Sequence, residues 1–259
     1  MNEELNLEQV LELVVVWAKE AGKLHLSYFR GNNLDIRTKS NVYDVVTRAD
    51  KEAEAFLIHE IGKNFPEHAV LGEESGEHTG LADYRWVIDP LDGTNNFSQG
   101  LPVFTVSIGL QYKKETVLGV VYAPYFDELY TAVKGKGAFL NAAPIHVSVK
   151  NDLGHSVLGT GFPYDKDINP DNNAANLAAI LPHLRGIRRM GSAAYDLCCT
   201  AAGWLDGYWE LGLSLWDMCA GALIVEEAGG CVVTFRENRG ISIIAGNAVI
   251  VKKIREKIN

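Results

Sequence analysis

The chain has few cysteines, and their arrangement is typical of neither a disulfide framework nor a zinc site. The four cysteines are Cys198, Cys199, Cys219 and Cys231, and none of them forms a CxxC pair. All four lie in apolar stretches, so we expect buried thiols in a reducing compartment. The core is therefore expected to need no disulfide bonds.

The sequence also lacks a continuous apolar span and an excess of positive charge. Glu12 interrupts the apolar stretch of residues 10–18, which therefore predicts neither a signal peptide nor a membrane span. Acidic residues outnumber basic residues by 33 to 24, giving a net charge of −9. Nucleic acid requires a basic surface, so it is not expected as the primary ligand. The default expectation is a cytoplasmic protein.

Two patterns of periodicity meet near residue 150. Residues 7–21 have helical spacing, a capping-box sequence at Thr47 and Asp50 begins a second helix, and short β-branched and aromatic runs over residues 85–144 predict strands. Beyond residue 150, predicted strands alternate with helices over residues 173–184, 193–203 and 217–228. We expect a single domain, residues 1–259, with an antiparallel-rich α+β half (1–150) and an α/β half (151–259) that share one core.

The most informative stretch is residues 86–97, where an apolar strand leads into Asp89-Pro90-Leu91-Asp92-Gly93-Thr94. We expect Pro90 and Gly93 to form a tight turn that brings Asp92 back beside Asp89. Two carboxylates about 4 Å apart repel by about 4 kcal/mol at an effective dielectric constant near 20, so such a pair requires protons or bound cations. The alternative is a surface turn whose carboxylates lie in water.

Three neighbouring signals have both a functional and a purely structural interpretation. Thr94 is expected at the start of a helix whose free N–H groups could hold phosphate, or as a simple N-cap. Glu73 and Glu74 lie between glycines, a pattern that alone is typical of a solvated turn. Asp217 opens an apolar helix, and alone it favours an N-cap role.

Together these segments resemble the inositol monophosphatase family of lithium-sensitive, magnesium-dependent phosphatases, whose superfamily includes fructose-1,6-bisphosphatase. The resemblance covers nearly the whole chain and rests chiefly on residues 72–75, 86–97 and 216–230, with further matches at 45–50 and 134–139. It implies a layered αβαβα sandwich and a homodimer. The chain departs from the family pattern at Leu91, Asn95 and Cys219, and over residues 235–239, which lack an Asp and a longer loop.

The resemblance implies two to three Mg²⁺ ions per active site. Glu73, Asp89 and the carbonyl of Leu91 would bind one ion, Asp89, Asp92 and Asp217 would bind a second, and a weaker third ion is expected near Glu73. These are all hard oxygen ligands without His or Cys, which favours Mg²⁺ over Zn²⁺.

The remaining site residues also follow from the resemblance. Thr94, paired with Asp50, would orient and help deprotonate the attacking water, so the expected catalytic residues are Thr94, Asp50, Glu73 and Asp89. The amides of Gly93 and Thr94 would hold the phosphate. The expected substrate contacts are Asp92, Gly191, Ser192, Ala193, Glu210 and Asp217, and the expected neighbours of the metal ligands are Glu74 and Lys39.

The implied reaction is hydrolysis of inositol 1-phosphate by direct attack of water, without a phosphoenzyme. The spacing from Asp89 to Asp92 is one residue too long for a haloacid-dehalogenase-type phosphatase. Fructose 1,6-bisphosphate, histidinol phosphate, adenosine 3′,5′-bisphosphate and NADP are alternative substrates, because the same metal core serves all of them. A regulator of transcription or RNA processing is the alternative of another class, and the basic residues Arg185, Arg188 and Arg189 would suit its partner.

Overall fold

The computed structural model describes residues 5–32, 34–236 and 240–258, so residues 237–239 of the departing 235–239 segment lie outside the described residues. These ranges contain both helices and strands, with long runs of consecutive strands in the first half. The helices are α1 (Leu7–Tyr28), α2 (Arg48–Asn64), α3 (Thr94–Ser98), α4 (Ala174–Ile180), α5 (Ala193–Ala201), α6 (Leu215–Glu227) and α7 (Ala248–Arg255). The strands are β1 (Arg37–Thr38), β2 (Val45–Val46), β3 (Ala69–Gly72), β4 (Gly76–His78), β5 (Tyr84–Asp92), β6 (Thr105–Tyr112), β7 (Glu115–Ala123), β8 (Glu128–Val133), β9 (Ala138–Leu140), β10 (Ala143–Pro144), β11 (Val157–Thr160), β12 (Gly186–Arg188), β13 (Gly207–Leu213), β14 (Cys231–Arg236) and β15 (Ile241–Gly246).

The larger sheet has eight strands in the order β10-β9-β8-β7-β6-β5-β3-β4. All of its pairs are antiparallel except β3 and β5, which run parallel. Helices α1 and α2 cover one face of this sheet, with α1 on β6 and β7 and α2 on β5. Their apolar sides bury Trp17 and Leu57 against Trp86, Ile108 and Val120 of the strands.

The smaller sheet has five strands in the order β12-β11-β13-β15-β14. Strand β11 is parallel to both of its neighbours, β12 and β13. Strand β15 is antiparallel to both of its neighbours, β13 and β14. Its outer face is covered by α4 and α7, through Ile180, Ile250 and Ile254 packed around Trp209 and Ile244.

Helices α5 and α6 fill the space between the two sheets. Helix α6 contacts β6 and β7 on one side and β14 and β15 on the other. The central core brings Tyr130 of the first sheet together with Leu197, Leu223 and Ile243 of the second half. The layers therefore follow the order helix, sheet, helix, sheet, helix, and the predicted αβαβα sandwich is confirmed.

Close packing between α6 and the larger sheet depends on a glycine. A Cβ atom at Gly119 of β7 would lie 2.8 Å from the backbone oxygen of Ala220. Because real Cβ atoms do not approach a backbone oxygen so closely, only glycine allows the helix to pack at this depth. The position of α6 also places Asp217, which lies in its first turn.

Some predicted element boundaries were wrong for identifiable reasons. The helix expected over residues 173–184 ends at Ile180 and continues only as a 3₁₀ turn, because Pro182 cannot extend an α-helix. Strand β12 is too short to give a sequence pattern. None of the helices within the described ranges is long and apolar enough to cross a membrane.

Candidate active site

A cavity of about 300 Å³ collects carboxylates from both halves of the chain. It is lined by Glu73, Asp89, Asp92, Glu210 and Asp217, which come from the β3–β4 turn, β5, β13 and α6. Glu73 and Asp89 lie close together because β3 runs parallel to β5, with Gly72 paired to Ile88. Glu73 is the residue after Gly72 and Asp89 is the residue after Ile88, so the parallel pairing places the two carboxylates at neighbouring positions.

The end of β5 differs from the predicted tight turn at Pro90. The strand continues to Asp92, and its pairing with β6 shifts from Asp89 opposite Ser107 to Asp92 opposite Thr105. Between these pairs, Pro90 and Leu91 of β5 lie opposite the single residue Val106 of β6, which is the signature of a β-bulge. Because of this extra residue, Asp89 and Asp92 project from the same face although they are three positions apart.

The chain turns at Gly93, the second of the two residues expected to form the turn. This glycine has a φ of 95°, in the left-handed region that residues with a side chain rarely adopt. It occupies the N-cap position of α3. Thr94 is therefore the first helical residue rather than the N-cap. Both residues line the cavity, as expected for the proposed phosphate contacts.

The carboxylates destabilise one another's charged forms. Burial, followed by the charges of Glu73, Asp92 and Asp217, raises the pKa of Asp89 well above its ordinary value. Burial also raises the pKa of Asp92 to about 6, although hydrogen bonds from Ser192 and the backbone oppose the shift. Burial and the charge of Asp92 raise the pKa of Asp217. Cations or protons in this cavity would relieve the repulsion.

Protein donors fix three of these carboxylates. Asp89 Oδ1 accepts the Leu91 N–H at 2.9 Å, and Asp92 Oδ2 accepts the Ser192 hydroxyl at 2.6 Å and the Ala194 N–H at 2.7 Å. Asp217 Oδ2 accepts the N–H of Ser214 at 2.7 Å.

These contacts revise the structural roles suggested by the sequence. Ser214 is the N-cap of α6 and Asp217 is the third helical residue of a capping box, so the N-cap interpretation of Asp217 was wrong. Ser192 lies behind Asp92 and binds it through its hydroxyl. Its neighbours Gly191 and Ala193 line the cavity directly.

Lys39 lies on the Glu73–Glu74 turn. Its Nζ donates to Glu73 Oε1 at 2.9 Å and also to Glu74 Oε1. Burial disfavours the charge of Lys39, but the two glutamates outweigh it and raise the pKa of this amine. The predicted proximity of Lys39, Glu73 and Glu74 is thus present, with a lysine ammonium as the cation that contacts Glu73.

Asp50 and Thr94 form a buried pair beside the cavity. Thr94 Oγ1 lies 2.8 Å from Asp50 Oδ1 and 2.9 Å from the Leu91 carbonyl oxygen, and its single proton can serve only one of these acceptors at a time. Asp50 Oδ2 accepts the Thr47 N–H at 2.8 Å within the predicted capping box, which is present at the start of α2. Burial raises the pKa of Asp50, with the hydrogen bonds from Thr47 and Thr94 opposing the shift.

Glu210 forms the opposite end of the cavity. It lies on β13, next to a register irregularity, and accepts a hydrogen bond from the Tyr208 hydroxyl. Burial raises its pKa to about 7 although the Tyr208 contact opposes the shift. A Cβ at Gly161 would lie 2.0 Å from Glu210 Oε1, so this glycine leaves the space that the carboxylate occupies. Glu210 therefore faces the cavity and not solvent.

The donors suit magnesium in their chemistry and charge. They are carboxylate oxygens together with the backbone of Leu91, which lines the cavity, and such hard ligands favour Mg²⁺. Among the described residues, no three carboxylate, imidazole or thiolate groups are already arranged around one point. The carboxylates nevertheless line one cavity, where burial and one another's charges raise their pKa values.

Sequence reasoning missed three residues around the site. Tyr164 and Arg189 line the cavity from the second half of the chain. Arg189 therefore faces the candidate site and does not belong only to a surface cluster with Arg185 and Arg188. Glu54 is buried on α2, one turn after Asp50. A glutamate at helical spacing among Ala53 and Leu57 was the available signal, since glutamate is rarely buried without a partner.

Comparisons with known proteins find related sequences and structures over nearly the whole chain. A model of the inositol monophosphatase family matches residues 6–259. The chain is 43% identical over 260 residues to Nus factor SuhB of Pasteurella multocida, covering 97% of this chain and 96% of that protein. It is 44% identical over 232 residues to inositol-1-monophosphatase of Synechocystis sp., covering 89% of this chain and 80% of that protein.

A solved structure is similar in three dimensions as well. The inositol monophosphatase from Anabaena (Nostoc) sp. superposes with a TM-score of 0.87 and 38% identity, covering 98% of this chain and 96% of that chain. The sequence match and the shared layered fold extend over nearly the full length. The chain belongs to the inositol monophosphatase family.

Proposed function

We propose that the protein is a magnesium-dependent phosphatase that hydrolyses a small phosphate monoester, with inositol 1-phosphate as the foremost substrate. The observation that carries this proposal is the convergence of Glu73, Asp89, Asp92 and Asp217 on one cavity. Repulsion among these carboxylates favours bound cations, and the cavity also contains the Gly93–Thr94 turn. Hydrolysis of a phosphate ester requires cations beside the place where the phosphate anion is held.

The proposed metal contacts involve two to three Mg²⁺ ions. Glu73, Asp89 and the Leu91 carbonyl would hold one, Asp89, Asp92 and Asp217 a second, and Glu73 would contribute to a third. When bound, Mg²⁺ supplies positive charge that neutralises the phosphate and the leaving oxygen and favours ionisation of water. The protein donors on Asp89, Asp92 and Asp217 keep these carboxylates in place for that role.

Thr94 and Asp50 are proposed to handle the proton of the attacking water. When the Thr94 hydroxyl donates to Asp50 Oδ1, its oxygen is free to accept a proton or hydrogen bond from water. The Thr47 N–H at the start of α2 holds the Asp50 carboxylate, so the position of the proposed proton acceptor is fixed. Water would attack phosphorus directly while its proton passes through the Thr94 hydroxyl to Asp50. The bond between phosphorus and the ester oxygen would break, the departing alcohol oxygen would take up a proton from solvent water, and Asp50 would return its proton to solvent, so no phosphoenzyme forms.

The substrate would lie between the metal ligands and β13. The Gly93 and Thr94 amides are proposed to hold the phosphate, and Glu210 is proposed to accept hydrogen bonds from substrate hydroxyls. The cavity wall near Gly191 and Ala193 completes this part of the proposed site. A carboxylate at the substrate end suits a polyol better than a second phosphate, because like charges repel.

The choice of substrate is supported by the names of related proteins and can be tested with a panel of phosphate esters. The names of the Synechocystis sp. and Anabaena (Nostoc) sp. proteins support inositol monophosphate as substrate. Fructose 1,6-bisphosphate, histidinol phosphate, adenosine 3′,5′-bisphosphate and NADP are the alternatives to compare. A turnover measurement over this panel with Mg²⁺ tests the choice, and we expect the highest kcat/KM with inositol 1-phosphate.

A regulatory role is not favoured over hydrolysis, although several relatives are named Nus factor SuhB. The chain keeps every carboxylate that the proposed reaction requires. If an Asp217→Ala variant rescued all cellular functions of the protein while lacking phosphatase activity, the regulatory alternative would be preferred.

Asp89→Asn tests the proposed chemistry directly. Asp89 is shared by both proposed principal ions and is only 2% exposed. Loss of one charge from the cluster should lower kcat by at least about 100-fold, by the weight that such preorganised charge carries in catalysis. Near-wild-type hydrolysis at any Mg²⁺ concentration would contradict the assignment.

A further inference from the structure

Glu54 is a buried carboxylate that the proposed reaction does not use. It lies on α2 with 3% of its surface exposed, four residues after Asp50. Residues four apart lie on the same side of a helix, so α2 presents both carboxylates to the cavity side of the fold. A buried carboxylate is costly unless its oxygens are hydrogen-bonded, and its partners therefore indicate its role.

The partners of Glu54 are the backbone on either side of Glu73. Its Oε2 accepts the N–H of Glu74 at 2.9 Å. A Cβ added at Gly72 would lie 2.7 Å from Oε2 and 3.2 Å from Oε1. The carboxylate thus lies against residue 72 and binds residue 74, which places it directly behind Glu73.

The segment that Glu54 contacts is a short turn. Gly72 closes β3 by pairing with Gly76 of β4, and the intervening turn contains residues 73–75. Lys39 contacts the side chains of Glu73 and Glu74, whereas Glu54 accepts the backbone N–H of the peptide between them. That peptide determines the direction in which the Glu73 side chain leaves the backbone.

We propose that Glu54 is a positioning residue, which holds the Glu73–Glu74 peptide so that the Glu73 carboxylate points into the cavity for cation binding. This inference rests on the proposed function, because it assigns Glu73 to a magnesium ion. Residues that orient a metal ligand through a hydrogen bond commonly change metal affinity as strongly as weak ligands do.

Calorimetric titration of Mg²⁺ into the purified protein and its variants tests the proposal. Glu54→Ala should weaken the tightest Mg²⁺ binding by about 10–100-fold, the range found for residues that support metal ligands. Glu54→Gln should bind within about threefold of wild type, because its amide oxygen still accepts the Glu74 N–H. At saturating Mg²⁺, kcat for inositol 1-phosphate should return close to the wild-type value in both variants.

Gly72→Ala provides a second route to the same change while Glu54 is retained. The new methyl group would displace the carboxylate, so Mg²⁺ affinity should fall as it does in Glu54→Ala. In the double variant, Glu54→Ala with Gly72→Ala, the methyl group at residue 72 occupies the space that the Glu54 carboxylate leaves. The loss of Mg²⁺ affinity in the double variant should therefore be much smaller than the sum of the losses in the two single variants. Ile61→Val is the matched control, because Ile61 is buried on the same helix but far along it from Glu54.

The outcomes separate the inference from the function on which it rests. Folded Glu54→Ala and Gly72→Ala proteins that bind Mg²⁺ as tightly as wild type would overturn the positioning role alone. The same reduction of Mg²⁺ affinity in Ile61→Val would also overturn it, because loss of stability would then explain the effect. A wild-type protein that neither binds Mg²⁺ nor hydrolyses any monoester in the panel would overturn the proposed function and this inference together.

Discussion

Asp50 and Thr94 show how a single residue can join two local structures. Asp50 closes the capping box of α2 with one oxygen and contacts Thr94, at the start of α3, with the other. The capping box was predictable because its spacing is local. The second contact spans 44 residues, and only the family resemblance suggested it.

Replacing Thr94 separates proton handling from metal binding. Thr94→Ala should lower kcat by about 10²–10⁴-fold, the usual contribution of a general acid–base group, while Mg²⁺ affinity changes little. Thr94→Ser keeps the hydroxyl and should recover most of the rate. Ser98→Ala, in the same short helix, is the control, because the Ser98 hydroxyl donates to the Asn95 carbonyl within that helix. Equal losses in all three variants would contradict a chemical role for the hydroxyl.

At the scale of elements, the sequence predicted the long strands and helices but not their irregular ends. Strand β5 was identified from its apolar run, yet its bulge depends on pairing with β6, which no local pattern specifies. That bulge, and not the predicted turn, brings Asp89 and Asp92 to one face. The geometry of the candidate site was therefore least predictable where two separate strands meet.

Two glycines provide a test of element packing. Gly119→Ala places a methyl group against the backbone of α6 and should destabilise the protein by about 1–3 kcal/mol. Gly62→Ala, in the exposed last turns of α2, meets no atom within 4 Å and should instead stabilise by about 0.5–1 kcal/mol. Thermal unfolding by calorimetry measures both. A Gly119→Ala protein as stable as wild type would show that α6 can shift without cost.

The whole molecule places its buried charge where the two halves of the chain meet. Glu73, Asp89 and Asp92 come from the first sheet, whereas Glu210 and Asp217 come from the second half. The sequence predicted the types of these residues and their layered scaffold. The proximity of Lys39 to Glu73 was expected only from the family resemblance. The space that Gly161 leaves for Glu210 could not be predicted, because it depends on tertiary packing.

The buried carboxylates predict how stability depends on pH. Burial raises the pKa of Glu210 from 4.5 to about 7, so the folded state holds a proton that the unfolded chain releases. This stabilising contribution is complete below pH 4.5 and is lost as the pH rises through 7. Asp89 and Asp217 act in the same direction. Without Mg²⁺, the melting temperature should therefore fall between about pH 6.5 and 8.

His25 has the opposite effect on stability, but it acts at pH values below 6.5. Burial lowers the pKa of His25 from 6.5 to about 3, so its stabilising contribution is present above pH 6.5 and is lost as the pH falls toward 3. Glu210→Gln should flatten the decline above pH 6.5, and added Mg²⁺ should reduce it by stabilising the ionised carboxylates. Calorimetry that found an unchanged slope in both cases would argue against the buried charge as its source.

The central claim is that Glu73, Asp89, Asp92 and Asp217 share bound divalent cations that support phosphate ester hydrolysis. The most direct measurement is anomalous X-ray diffraction from crystals soaked in Mn²⁺, a close substitute for Mg²⁺ at oxygen sites. We predict anomalous peaks between these four carboxylates, and we expect the two peaks beside Asp89 to be weakened or lost in Asp89→Asn. Active protein that shows no peak among them would contradict the claim.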